Sequence, residues 1–188
     1  ADVHAHRWAL APDVYQDFVM RVAFVGGEST GKTTLAQALA KSTGAAWVPE
    51  YGRERWTECE GRLNLDDLVQ IAQVQIEREQ MLAKQTHRFL FCDTTPLTTL
   101  GYAQWMFGEQ PDALVRMAQH RYDLIVLCDA DFSFVQDGTR QGAAFRDQQQ
   151  AWYREQLRLR SEPLLHVSGP LLSRMDQVLA CLTGPNSH

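Results

Sequence analysis

Five short, nearly all-apolar runs punctuate the chain, at 21–25, 45–48, 88–92, 124–128 and 164–167. A strand that is apolar at successive positions, and so on both faces, belongs in a parallel sheet covered on both sides. Between the runs lie helical patterns: one over 32–42, a long one over 65–85, and others within 97–120, 147–160 and 170–182. This alternation predicts right-handed βαβ units, hence an α/β fold of three layers around a parallel sheet of about five strands. Residues 1–20 show no clean period. They read as a connector or the end of a preceding domain, with the folded domain running over 21–188.

Composition narrows the class. A chain of 188 residues is long enough for one substantial core and short for two. Hydrophobic residues at 45% and charged residues at 22% fit a folded globular protein. A net charge of −5 argues against a nucleic-acid partner, which asks for a basic face. No apolar run approaches the roughly 18–20 residues that span a bilayer, and no secretory leader opens the chain. The expectation is a cytoplasmic protein with no membrane partner. The cysteines are widely spaced, so no zinc site is expected, and Cys92 and Cys128, inside apolar runs, read as buried thiols.

The chemistry begins where the first predicted strand ends. Gly26-Gly27-Glu28-Ser29-Thr30-Gly31-Lys32-Thr33 matches G-x-x-x-x-G-K-[ST] at every fixed position, with Thr34 next in the helix. Glycines let successive N–H groups turn inward on phosphate oxygens, and the following helix presents its positive end to the same anion. In this pattern Lys32 reaches the β- and γ-phosphates, and the Thr33 hydroxyl ligates Mg²⁺. Gly26 to Thr34 are therefore the candidate nucleotide-binding residues.

The second acidic signal separates the classes of phosphate-loop protein. The strand at 88–92 runs into Asp93-Thr94-Thr95, with no second carboxylate beside Asp93 to polarise an attacking water. Neither D-x-x-G nor N-K-x-D occurs, which removes the GTPase reading. Asp93 is the candidate partner of Thr33 around the metal, and transfer to a bound acceptor is favoured over hydrolysis. The end of the second strand should face the γ-phosphate, and it carries Pro49-Glu50-Tyr51-Gly52-Arg53. Glu50 is the candidate general base for an acceptor hydroxyl, Arg53 a brace, and Trp47, Tyr51 or Trp56 a stacking surface for a planar base. Asp137-Gly138-Thr139-Arg140 through Arg146 follow the fourth strand, where kinases close a lid, so Arg140 and Arg146 are candidates for stabilising charge on the transferring group. Arg154, Arg158 and Arg160 read as a solvated helix face.

Taken together, Gly26-Gly-Glu-Ser-Thr-Gly-Lys-Thr-Thr, Glu50-Tyr-Gly-Arg-Glu, Phe91-Cys-Asp-Thr with Pro96-Leu-Thr-Thr, and Asp137-Gly-Thr-Arg resemble the ribosylnicotinamide kinase domain of the NAD-biosynthesis regulator family. Trp8 to Met20 resemble the linker that follows the adenylyltransferase domain in those fusions. The resemblance implies that ATP with Mg²⁺ phosphorylates the 5′-hydroxyl of nicotinamide riboside, and that an adenylyltransferase domain is a fused or associated partner. It supports Lys32, Thr33 and Asp93 on the phosphate and metal side, and Glu50 and Arg53 on the acceptor side. One departure is Thr95, where family members often carry an acid. The residues alone leave two other classes open: a kinase of another nucleoside or small alcohol, and an ATP-binding sensor module.

Lys32→Ala is expected to lower turnover by orders of magnitude while the fold persists, because the ammonium stabilises phosphate charge and no core. Steady-state kinetics check this; retained turnover with normal saturation would remove the loop as the catalytic phosphate site.

Overall fold

The computed structural model describes residues 2–133 and 142–184. After a short helical turn at Arg7–Ala9, helix α1 (Pro12–Tyr15) and a second turn at Gln16–Phe18, the chain enters β1 (Met20–Val25) and α2 (Lys32–Thr43). Then come β2 (Ala46–Val48), α3 (Tyr51–Glu58), α4 (Leu65–Ala83), β3 (Phe89–Asp93), α5 (Pro96–Phe107) and α6 (Asp112–Met117). β4 (Leu124–Cys128), α7 (Ala143–Arg158), β5 (Leu164–Val167) and α8 (Leu171–Thr183) complete it.

The five strands form one sheet in the order β2-β3-β1-β4-β5, every neighbouring pair parallel. Their alternating side chains divide between two cores. Val22, Phe24, Phe91 and Val126 meet Leu35 and Leu39 of α2 and Val178 of α8. Ala23, Val25, Leu90, Cys92 and Leu127 meet Leu68 and Ile71 of α4, Leu97 and Leu100 of α5 and Tyr153 of α7. That is the three-layer arrangement the apolar runs imply, and Cys92 and Cys128 are buried free thiols within it.

The chain leaves β1 toward one edge, through β2 and back to β3, then crosses to β4 on the other side. The strand order therefore reverses at the C-terminal end of β1, where open α/β sheets leave a crevice for ligands. Register Phe24↔Asp93 sets the end of β3 beside the start of the glycine-rich loop.

Three local outcomes differ from the sequence reading. The stretch after β2 is helix α3, not a loop; Glu50 is its N-cap residue. Helix α7 starts at Ala143, so Arg146 sits in its first turn instead of in a loop before it. Arg160, expected on a solvated face, folds inward and donates to the carbonyls of Ala118 (2.6 Å) and His120 (2.7 Å), with Glu162 as its ionic partner.

The period-free N-terminal segment is held by specific contacts. Tyr15 and Val19 are buried in the core on the α4 and α5 face. The Tyr15 hydroxyl meets His4 Nδ1 at 2.9 Å and accepts from the Arg88 N–H at 3.3 Å, and Arg7 donates to the Thr86 and Gln85 carbonyls. α4 is fixed at its start by a reciprocal capping box between Asn64 and Asp67. Among the described residues, no helix is long and apolar enough to cross a membrane.

Tyr15→Ala should destabilise the domain by about 3 kcal/mol, the usual cost of emptying a large aromatic site. Chemical denaturation with an unchanged m-value checks it; a loss well under ~1 kcal/mol would show that residues 2–19 contribute little to the fold.

Candidate nucleotide and acceptor site

The glycine-rich loop is shaped by what surrounds it. Gly26 has φ +138°, and a Cβ there would lie 2.8 Å from the Cys128 carbonyl oxygen at the end of β4; a Cβ on Gly27 would lie 2.7 Å from the Arg146 carbonyl oxygen. Gly31, at φ +79°, is the N-cap residue of α2. Only residues without a side chain let this loop settle between β4 and α7. The Thr30 hydroxyl donates back to the Gly27 carbonyl at 2.9 Å.

Side chains from two later helices hold the loop. Gln150 of α7 accepts from the Gly27 N–H at 2.7 Å and donates to the Cys128 carbonyl at 3.0 Å. Gln149 accepts from the Glu28 N–H at 2.7 Å. From α8, the buried Arg174 donates to the Thr30 carbonyl at 2.8 Å and the Asp129 carbonyl at 2.9 Å, pairs with Asp131, and lies over the Phe132 ring at 4.9 Å. None of Gln149, Gln150 and Arg174 was singled out from the sequence. A glutamine run in a polar helix and an arginine near the C-terminus carry no local mark of such contacts.

Lys32 folds back over the loop, Nζ donating to the carbonyls of Gly26 (2.9 Å) and Gly27 (2.8 Å). Thr33, in the first turn of α2, is close enough to Asp93 for its hydroxyl to favour the ionised carboxylate. Asp93 is 1% exposed, and its Oδ1 has no hydrogen-bond partner among the described residues. Burial pushes its carboxyl upward, opposed by the nearby Thr33 hydroxyl and the charges of Lys32 and Arg53. Thr94 follows at φ +76°, uncommon for a β-branched residue. Thr95 caps α5, with its Oγ1 buried and unpartnered among the described residues.

A cavity of about 250 Å³ runs from the loop between α3, α4, α5 and α7. Glu28, Thr33, Thr34, Glu50 and Arg53 line its phosphate end, and Trp56, Leu63, Leu68 and Met106 its apolar end, with Tyr102 between. The Glu50 side chain keeps 24% exposure, with Arg53 Nη2 4.0 Å away. Burial raises the Glu50 carboxyl first, and Asp93 adds to this, while Lys32 and Arg53 pull it down. The Tyr102 hydroxyl donates to Glu28 Oε1 at 3.3 Å; burial above all, with the charges of Glu50 and Glu28, pushes it well up, so it stays a neutral donor. Thr98, Tyr102 and Met106, spaced four apart on the helix after Asp93, form one wall. That spacing was legible in the sequence, although Tyr102 was not selected.

The predicted stacking residues separate. Trp56 lines this cavity. Trp47 faces a second, open cleft of about 730 Å³ on the other side of Glu50, together with Glu54, Glu58 and Asp93. Tyr51 lines neither; its ring carries the Arg78 guanidinium at 4.5 Å, and Arg78 pairs with Glu54. Arg146 is not among the residues that line either cavity; its Nη1 donates to the Phe132 carbonyl at 2.9 Å. Arg140 and the Asp137-Gly138-Thr139 stretch lie outside the described residues.

The family model described as an AAA domain matches residues 21–174. The chain belongs to that AAA-domain family. Among curated relatives, it is 33% identical over 141 residues to the trifunctional NAD biosynthesis/regulator protein NadR of Escherichia coli (strain K12), covering 71% of this chain and 34% of the relative. The chain thus spans about a third of the curated relatives it matches. Its fold is that of a NadR protein crystallised in complex with NR, at TM-score 0.77 and 20% identity, covering 97% of this chain and 56% of that one. A NadR structure in complex with NAD and AMP-PNP gives TM-score 0.66 at 20% identity, covering 95% and 57%.

Glu50 has a thermodynamic signature. Its folded-state carboxyl is raised above the unfolded value, so the proton binds more tightly in the fold, and ionisation costs stability as pH rises through the folded value. Without ligands, Glu50→Gln should melt at a higher temperature than wild type at about pH 7, and the difference should close near pH 3, where the carboxyl is protonated in both states. Thermal melts at the two pH values check it; a lower melting temperature for the variant at neutral pH would contradict the burial argument.

Proposed function

We propose that this domain is a kinase that transfers the γ-phosphoryl group of ATP to the 5′-hydroxyl of nicotinamide riboside. The observation that carries this reading is the cavity that begins at the phosphate loop, passes Glu50 and Glu28, and ends on Trp56 and Met106. Carboxylates near the loop and an aromatic plane farther in suit a sugar bearing a flat cationic ring. Stacking a cation on an aromatic face contributes about 0.5–2 kcal/mol, which a neutral base gains only in part. The NadR relatives and the NadR structures in complex with NR and with NAD and AMP-PNP support the same acceptor and nucleotide. Those relatives extend well beyond the matched third, and only the activity this site can perform is proposed.

The residues present fit a divalent cation. Thr33 offers a hydroxyl, and Asp93 a buried carboxylate whose Oδ1 lacks a protein partner. Those two residues would hold Mg²⁺, which supplies charge neutralisation on the phosphates when bound. Lys32 exchanges the Gly26 and Gly27 carbonyls for phosphate oxygens. Glu50 accepts the hydroxyl proton as the acceptor oxygen bonds to the γ-phosphorus; the bond to the β–γ bridging oxygen breaks, and ADP leaves with that electron pair. Arg53 stands beside Glu50 and limits the negative charge there. Arg146 enters only if α7 reorients its guanidinium from the Phe132 carbonyl; Arg140 remains a candidate lid residue on its sequence position alone.

A coupled ADP-release assay with ATP and Mg²⁺ over nicotinamide riboside, adenosine, cytidine and deoxynucleosides tests the reading. The highest kcat/KM is expected for nicotinamide riboside, and Glu50→Gln should cut kcat by about 10²–10⁴-fold with ATP binding spared. Preference for a neutral nucleoside would reassign the acceptor. Tight ATP binding with no transfer to any acceptor would make the domain a sensor.

A further inference from the structure

Within the cavity one polar side chain is out of keeping with its apolar neighbours. Gln75 of α4 lines it beside Ile71 and is 3% exposed. Its Oε1 accepts the Tyr51 N–H at 3.1 Å, which fixes the amide's orientation and leaves Nε2 as its donor group. Nε2 is buried and has no hydrogen-bond partner among the described residues. A buried amide donor left unpaired costs about 1–3 kcal/mol, so such a group calls for an acceptor brought by a ligand.

Its position says which part of the ligand. Tyr51 is the residue after Glu50, so the hydrogen bond that orients Gln75 anchors it at the phosphate end of the cavity. Trp56, Leu63 and Met106, at the apolar end, are where a ring would lie. We propose that Gln75 is a specificity-determining residue that donates from Nε2 to a hydroxyl oxygen of the acceptor's sugar, next to the oxygen that Glu50 deprotonates. This deepens the kinase reading and rests on it. Gln75 then selects for an acceptor that carries the matching sugar hydroxyl, because an analogue without it leaves the buried donor bare.

The experiment uses two variants, Gln75→Met and Gln75→Glu; the second keeps the oxygen that receives the Tyr51 N–H and removes the donor. Both are assayed with nicotinamide riboside, its 2′-deoxy and 3′-deoxy analogues, and a riboside of the ring without its carboxamide, alongside the KM for ATP. For nicotinamide riboside, kcat/KM should fall about 5–150-fold in both variants, mainly through KM, with the KM for ATP unchanged. One of the two deoxy analogues should be poor with wild type and lose almost nothing further in the variants. Equal losses on every acceptor would mean a merely structural role and overturn the proposal, as would an unchanged acceptor KM. If only the carboxamide-free riboside escapes the loss, the partner is the ring's carbonyl, and the sugar assignment is wrong. Should nicotinamide riboside fail as a substrate of wild type, the acceptor reading falls separately, and the same comparison is made on the preferred nucleoside and its deoxy forms.

Discussion

There is no room for a side chain where the glycine-rich loop passes between β4 and α7. A Cβ on Gly26 or Gly27 would sit within 3 Å of a backbone carbonyl oxygen, and backbone cannot rotate aside. That close seat brings the loop's own amides within reach of α7, so Gln149 and Gln150 can take the Glu28 and Gly27 N–H groups. It also aligns the loop with the end of β3, and so with Asp93. Substituting either glycine would shift the loop, its alignment with Asp93 and the cavity wall from α7 together.

Around this seat the charges are clustered in a way that costs the empty fold stability. Glu28, Glu50 and Asp93 share the neighbourhood with Lys32 and Arg53, and burial raises both Glu50 and Asp93. Carboxylates held this way are better proton acceptors and stronger magnets for cations, and each costs the empty fold something. An acidic, partly aromatic chamber disfavours an added anion beside these carboxylates.

Much of the architecture was legible because it rests on short-range rules. Apolar runs of strand length gave the parallel sheet, and the fixed glycines and Lys32-Thr33 gave the phosphate loop and its position after β1. Asp93 followed from the strand that carries it. What could not be read depends on contacts between residues far apart in the chain. Gln149 and Arg174 look like surface residues until the folded chain brings α7 and α8 against the loop. The split among Trp47, Tyr51 and Trp56 follows from their elements: Trp47 lies on strand β2, while Tyr51 and Trp56 lie on helix α3, whose turn sends them to different sides, and no helical pattern marked that stretch in the sequence. Thr95 stands where the resembled family often has an acid, and its hydroxyl is buried, so the departure is an interior loss of charge two residues after Asp93, not a surface change.

Lys32 is already tied to two carbonyls before any phosphate arrives. A free lysine carries about 2 kcal/mol of rotamer entropy that a ligand must otherwise quench. Here most of that freedom is already lost during folding, so an anion that drew the ammonium off these carbonyls would replace existing contacts instead of ordering a free side chain.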